Sequence, residues 1–593
     1  MRMSFGALVL ALAIAQPAGA GPVAARPARA PATVAPAPPA HAAGQPAAPA
    51  PAQAGCVSRE GPGIAAPAVV PNGLPGFHAA WYGQSGYMSL CPGDRRTATV
   101  AFHNSGSRGW VAGRLGQVAY LGTWNPEPGQ DRPSVLGGDG QHGSPATGWP
   151  RYDRVAVQPA AYVGPAQVAW FQFAVQAPLI PGTYTLAIRP LIEGATWLED
   201  YGVFWSVTVL NPDGSDPPPL SGQRQISYAS QDLAAGSLSG ARLEGGDVVL
   251  EAGSSSGVWV SRQIASGFGW SQLIPSWAAA APHGTAVLIE MQATPDGRRD
   301  TRWWSFGRWA DVDTYIRRAS QAGQSDEDGR VSVDTFFAGG TPMRAHRLRV
   351  TLSRAEPSLP SPRLRAAGAA VSDGPTATAP RIPSAPAGVA RDLPVPSYSQ
   401  EVHTGEYPEY DGGGEAWCSP TSTAMIMAYW GIAPPAAELA VIPYPDPQVD
   451  HAARHTYDAQ YRGTGNWPFN TAYASRYGLR AFVTQLRSLR EAEAFIAAGI
   501  PLVASITVGP GALPGFLFGQ GSAGHLLVIR GFTATGDVIA NDPAALSNAA
   551  VRRVYPRAAF ERSWLNGSFG VVYVIHPMSV ALPPRPAGIA ANW

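Results

Sequence analysis

Lysine is absent from the sequence, and all 42 basic residues are arginine. We read this as the codon bias of a GC-rich genome, not as a functional signal. An excess of charge of one sign is also lacking. The formal net charge is +1, which argues against the basic face of a nucleic-acid binder. Long apolar runs are missing too. The run Ala7 to Ala15 is shorter than the roughly 20 residues a bilayer-spanning helix needs, and no later stretch is long enough, so no membrane span is expected. Cysteine is scarce: only Cys56, Cys91 and Cys418 occur.

What is present points to an exported, multidomain chain. Its 593 residues predict three to five domains. A hydrophobic content of 45% suffices for real cores, while 67 glycines and 59 prolines promise many turns and linkers. Residues 1–20 read as a secretory signal: Arg2 supplies the positive start, Ala7 to Ala15 the apolar core and Ala18-Gly19-Ala20 the small-residue cleavage site. The protein is therefore expected outside the cytoplasm, where disulfides are permitted. Cys56 and Cys91 could pair there. Cys418 is then the odd cysteine and a candidate reactive thiol.

Residues 21–54, mostly Ala, Pro, Gly and Val, cannot bury a core and read as a spacer. Residues 55–212 read as all-β, because short apolar-aromatic runs such as Thr97–Phe102 and Val168–Val175 alternate with turn residues. Regular strands of this kind suggest a β-sandwich. Trp81-Tyr82-Gly83-Gln84-Ser85, Pro92-Gly93-Asp94, Asn104 to Trp110, Pro181-Gly182-Thr183-Tyr184 and Glu193 to Phe204 together resemble the Ig-like "Next to BRCA one" central domain. That resemblance implies a binding or spacer module. Residues 222–372 read as a second β-sandwich. Its tryptophans, among them Trp259, Trp270, Trp277, Trp303, Trp304 and Trp309, fit core aromatics better than a sugar platform. Ser325-Asp326-Glu327-Asp328-Gly329 lacks the ligand spacing of a calcium loop and reads as a solvated turn.

After an Ala/Pro/Ser-rich linker at 373–391 the pattern changes. Helices are expected near 418–430, 466–477 and 488–498, the last with a Ser488–Glu491 capping box and Gly499 to close it. Strands are expected at Leu502–Val508, Leu526–Phe532, Val538–Ala540 and Val571–His576. Helices followed by strands suggest an α+β domain over 392–577, with a tail at 578–593.

The chemistry concentrates in this last domain. Ser419 can cap a helix, Pro420 suits its first position and Gly431 can end it. Ala424–Trp430 is apolar on nearly all sides, so the helix should be buried. Cys418 then sits at a helix N-terminus, where the dipole and unpaired N–H groups favour thiolate. His525 opens an apolar strand. The turn Thr535-Gly536-Asp537 folds the next strand back, so that Asp542 of Asn541-Asp542-Pro543 returns near His525 and can orient its ring. Gln400 lies upstream as a candidate oxyanion donor. His403, His451 and His455 lie in polar, loop-like sequence and are expected at the surface. No metal and no cofactor is assigned.

The order Gln…Cys…His…Asp resembles papain-like peptidases, and more closely the bacteriocin-processing (double-glycine) peptidases and their stand-alone C39-like relatives. The matching pieces are Val395-Pro396 leading to Gln400, Cys418-Ser419-Pro420 with Ser422, Gly524-His525 with its apolar strand, and Asn541-Asp542-Pro543. Many relatives have Gly where Ser419 stands. The Cys-to-His separation, 525 − 418 = 107 residues, suits the compact relatives better than papain, where it is about 130–150. The resemblance implies Cys418 as nucleophile, His525 as general base and then acid, Asp542 as orienter and Gln400 as oxyanion donor. The expected protein is thus two all-β sandwiches followed by an α+β papain-like cysteine peptidase domain, acting on a protein or peptide substrate. A cell-wall peptide amidase or acyl transferase on the same fold is one alternative. A non-catalytic surface protein, whose β domains take a glycan or protein ligand, is another.

Overall fold

The structure is a computed structural model. It describes residues 55–217, 225–313, 316–374, 384–585 and 590–593. The expected signal peptide and first spacer lie outside the described residues, as does part of the expected 373–391 linker.

The first β unit has a core of its own. A three-stranded sheet of Ala80–Gln84, Arg95–His103 and Val168–Gln176 faces a seven-stranded sheet that includes Met88–Leu90, Gly182–Ile192 and Phe204–Val209. Strand periodicity explains the layering. Along Val168–Gln176 the alternate residues Ala169, Phe171, Phe173 and Val175 are buried, because successive side chains point to opposite faces. Cys56 and Cys91 are disulfide-bonded, which leaves Cys418 as the free thiol.

The second β unit pairs a seven-stranded sheet, centred on Gln272–Ala280 and Arg363–Ser372, with a six-stranded one centred on Thr285–Thr294 and Met343–Arg354. Trp259, Trp270, Trp277, Trp304 and Trp309 are buried. Trp303 is half-buried, with the Arg349 guanidinium 4.2 Å above its ring. In the 325–329 turn, Asp326 accepts from the Asp328 N–H at 2.9 Å and the Asp328 carboxylate pairs with Arg299 at 2.6 Å.

The C-terminal domain is built on an antiparallel sheet of seven strands, in the order Leu479–Gln485, Val571–Pro577, Leu502–Val508, Ser522–Phe532, Val538–Asn541 and Arg552–Tyr555, with Arg391–Asp392 added to the edge of Ser522–Phe532. Helices come first and most strands follow, as expected, except that Leu479–Gln485 precedes the helix Leu489–Ala497 and the helix Arg557–Gly567 precedes the strand Val571–Pro577. The helix Cys418–Tyr429 packs on Ser522–Phe532. It ends as expected at Gly431, whose positive φ of 68° lets Ile432 N–H reach Met427 O and Gly431 N–H reach Ala428 O. Its start differs from expectation. Cys418 is already the first helical residue, Trp417 is the cap, and no side chain caps the end. Ser419 is buried and its hydroxyl meets the Tyr573 hydroxyl at 2.9 Å. The Ser488 box is also incomplete. The Ser488 side chain makes no capping bond, and Glu491 accepts from the Arg487 N–H.

The second β unit and the C-terminal domain share one continuous core, whereas the first unit does not join it. Trp277 and Trp309 both meet the Phe469 ring, at 6.0 and 5.6 Å. Polar bonds stitch the same junction. Ser276 Oγ accepts from the Val483 N–H at 2.8 Å, buried Asp334 accepts from the Trp467 N–H at 2.8 Å, and Asp458 accepts from the Ser320 N–H at 3.0 Å. The end of the expected tail is part of this body. Ala591 O accepts from the Tyr228 N–H at 2.7 Å, and buried Trp593 packs on Phe495 at 5.0 Å.

A shared core predicts shared unfolding. Calorimetry should show residues 225–593 melting as one cooperative transition. Trp277→Ala should lower its stability by about 3–5 kcal/mol through the cavity it leaves. Separate transitions for the second β unit and the C-terminal domain would contradict this.

Candidate active site

The helix Cys418–Tyr429 is buried on nearly all sides, so its N-terminus is delivered to a fixed point. The Trp417 indole donates to Tyr410 O at 2.7 Å, the Thr464 hydroxyl donates to Ala416 O at 3.3 Å, and the Ser422 hydroxyl donates to Leu526 O at 3.3 Å. The last of these bonds the helix to the strand that carries His525. Cys418 is half-buried at the helix start, where the first N–H groups have no partner in a preceding turn.

His525 lies within the strand, which begins at Ser522 instead of the expected Leu526. Its Nε2 is 2.8 Å from Asp542 Oδ1. Cys418 is near enough to the ring to act on its charge. Burial opposes the imidazolium charge, but Asp542 and Cys418 outweigh it and push the His525 pKa up to about 10. Asp542 is fully buried. Burial opposes its charge as well. His525, the Tyr555 hydroxyl at 2.6 Å and the Ala544 N–H at 3.1 Å together hold it below the usual carboxylate range.

Three consecutive residues organise this corner. Asn541 donates to Pro396 O at 2.9 Å, Asp542 holds His525, and Pro543 O accepts from the Gln400 N–H at 2.9 Å. Gln400 is thereby buried between the Asp542 loop and the approach to Cys418. Its amide nitrogen donates to Glu415 O at 2.6 Å and to Glu401 Oε1 at 3.1 Å. Both amide hydrogens are engaged, so an oxyanion would have to displace one of these acceptors. The half-buried Glu401 carboxyl is raised by burial, with the Glu415 charge adding to it and Gln400 and His525 opposing.

His525 and Asp542 therefore meet, with Cys418 near enough to act on the ring, and Gln400 is tied to the Asp542 loop through Pro543 O and to Glu415 O before Cys418. Sequence reasoning missed three neighbours. Tyr555 supplies a second donor to Asp542. Phe516 and Phe518 set their edges against the His525 ring at 5.6 and 5.4 Å. They belong to the Gly-rich 509–521 segment, whose turn residues carried no sign of the histidine they cover. The three other histidines need correction. His403 and His451 are buried, not at the surface, and His455 is largely covered. The His451 and His455 rings stack at 3.9 Å, while His451 Nε2 meets Glu438 at 2.9 Å. Both lie on the helix Pro447–Thr456, where a loop was expected.

Residues 392–571 match the family model described as Peptidase_C39 like family. The C-terminal domain is thus similar to C39-like peptidases. Residues 228–372 match the family model described as Peptidase C39 N-terminal domain. A crystal structure described as a C39-like peptidase from Bacillus anthracis is 20% identical, with 31% of this chain and 96% of that chain covered and a TM-score of 0.21. The secreted serine protease VesC from Vibrio cholerae is 8% identical over 50% of each chain, at a TM-score of 0.13. No curated protein matches the sequence.

The His525–Asp542 pair of the C39-like domain carries a pH signature. His525 is raised from 6.5, so its contribution to stability is complete below that value and is lost as pH rises toward about 10. Asp542 is lowered from 3.8, so its contribution is complete above that value and is lost as pH falls below it. The stability gap between wild type and Asp542→Asn, measured by urea unfolding, should be widest between these two ordinary values and narrow toward pH 10. A gap independent of pH would show that the pair is not charged.

Proposed function

We propose that the protein is a secreted cysteine peptidase with Cys418 as nucleophile, His525 as general base and then acid, and Asp542 as the residue that orients His525. The observation that carries this reading is the buried His525–Asp542 contact of 2.8 Å, with Cys418, at a helix N-terminus, near enough to act on the same ring. His525 takes the Cys418 proton as general base. The thiolate attacks the peptide carbonyl, and the Cys418 N–H, joined by Gln400 once its amide leaves Glu401, receives the oxyanion. His525 then protonates the departing amine, and the amine leaves. Water, deprotonated by His525, attacks the resulting thioester, releasing the carboxylic acid and restoring the thiol.

Export is supported by Arg2, the Ala7 to Ala15 run and the Ala18-Gly19-Ala20 site. The Cys56–Cys91 disulfide agrees with an oxidising compartment. In this reading the two β units are sandwiches. The first, with its Ig-like resemblance and separate core, is a spacer or binding module. The second is a structural half of the peptidase.

Cys418→Ala should abolish peptide hydrolysis, with a loss on the order of 10⁴-fold or more. His525→Ala should slow labelling of Cys418 by a thiol-directed probe about 10²-fold or more. Equal labelling of wild type and His525→Ala would sink the mechanism. Release of peptides from purified peptidoglycan, with none from denatured protein, would replace the general peptidase by a cell-wall amidase. Sequencing of the exported protein should place its first residue after Ala20.

A further inference from the structure

Beside the catalytic residues lies a second buried polar cluster that the peptidase mechanism does not use. His403 ends the short 3-10 helix Gln400–His403, Glu406 follows three residues later, and Asp450 comes from the helix Pro447–Thr456. His403 Nδ1 is 2.7 Å from Glu406 Oε2 and 3.2 Å from Asp450 Oδ2. One ligand atom from each of the three residues lies within 4.8 Å of the others. The His403 and Asp450 side chains are fully buried, and that of Glu406 is 12% exposed.

The cluster is short of positive charge and of donors. Nδ1 can offer at most one proton, and its hydrogen-bond contact is with Glu406. His403 Nδ1 lies 3.2 Å from Asp450 Oδ2 without an aligned hydrogen bond, so neither buried oxygen of Asp450 accepts one. Among the described residues no arginine forms an ion pair with Glu406 or Asp450. Arg454, one turn beyond Asp450, lies over the Tyr407 ring at 4.7 Å. A buried carboxylate without donors is costly unless it is neutralised or coordinates a cation. A doubly charged cation with two carboxylates and a neutral imidazole would bring the net charge to zero.

We propose that His403, Glu406 and Asp450 form a binding site for a divalent cation of the zinc type. One imidazole nitrogen with two carboxylate oxygens suits zinc and its neighbours, whereas calcium and magnesium take oxygen ligands. Zinc–ligand bonds of about 2.0–2.2 Å place tetrahedral ligands roughly 3.4 Å apart. The His403–Asp450 contact is already close to that spacing, and the His403–Glu406 contact needs only to open as its proton leaves. The cation is a brace, not a reacting centre. It would tie the turn that carries Gln400 to the helix Pro447–Thr456. The Gly414–Ala416 turn before Cys418 packs against the same place, since a Cβ on Gly414 would come within 2.7 Å of the His403 Cβ.

The test uses the untagged full chain with Cys418→Ala, so that the Cys418–His525 pair cannot supply the site. Metal-free protein is titrated calorimetrically with zinc, and separately with calcium. The expected result is one equivalent of zinc bound. Affinity should fall at least about 10-fold in Cys418→Ala/Asp450→Asn. It should also fall as the pH is lowered, because a proton on the His403 ring nitrogen competes with the metal. Cobalt substitution should give a visible spectrum of nitrogen and oxygen ligands, altered by Asp450→Asn. Circular dichroism shows whether each variant is folded before binding is compared. Failure of the folded Cys418→Ala protein to bind zinc would overturn the proposal. So would binding unchanged by Asp450→Asn, or calcium bound in preference to zinc.

Discussion

Everything at the candidate site depends on keeping one carboxylate charged where no water reaches it. Asp542 is fully buried, and such a group survives as an anion only if its oxygens are supplied with donors. The fold supplies them from three directions: His525 on one strand, Tyr555 on another, and the Ala544 N–H from its own loop. That requirement fixes the register of three neighbouring strands at once, because a slip of one residue would turn these side chains to the opposite face. The same loop holds the Pro396 and Gln400 segments through Asn541 and Pro543.

The second constraint is the continuous core beneath the site. The C39-like domain does not stand on a tether behind the second β unit. The Trp467–Arg476 helix is seated on that unit, with Phe469 between Trp277 and Trp309 and its first N–H held by Asp334. The first β unit is joined differently. Its own core is closed, and its links to the second include a 2.9 Å bond from the Leu179 N–H to Asp296 O and the stacking of Arg344 over Tyr184 at 4.0 Å. The division of labour in the chain follows from which cores merge.

Much of the site was legible because local signals punctuate it. Gly431 ends the Cys418 helix, Thr535-Gly536-Asp537 turns the strand after His525, and the hairpin then brings Asp542 back. Tyr555, Phe516 and Phe518 were not legible, since their meaning comes only from the neighbours that the sheet and the 509–521 segment bring to them. The helix Pro447–Thr456 could have been found. Its polar residues disguised it, but Val449, Ala452, Ala453 and Thr456 are all buried and recur at helical spacing. Missing that helix is what placed His451 and His455 at the surface. The starts of the Cys418 and Ser488 helices were misread for a different reason. Buried neighbours took the hydrogen-bonding role of Ser419, and Glu491 turned to the Arg487 N–H.

The disulfide has a consequence for the thiol it excludes. A cysteine oxidised to a sulfenic acid is ordinarily rescued when a neighbouring thiol condenses with it, and without one it can proceed to sulfinic and sulfonic acids. Cys56 and Cys91 are already bonded to each other, in the unit whose core is separate from that of Cys418. Cys418 has no resolving partner in its own chain. Once oxidised, it depends on a reductant supplied from outside.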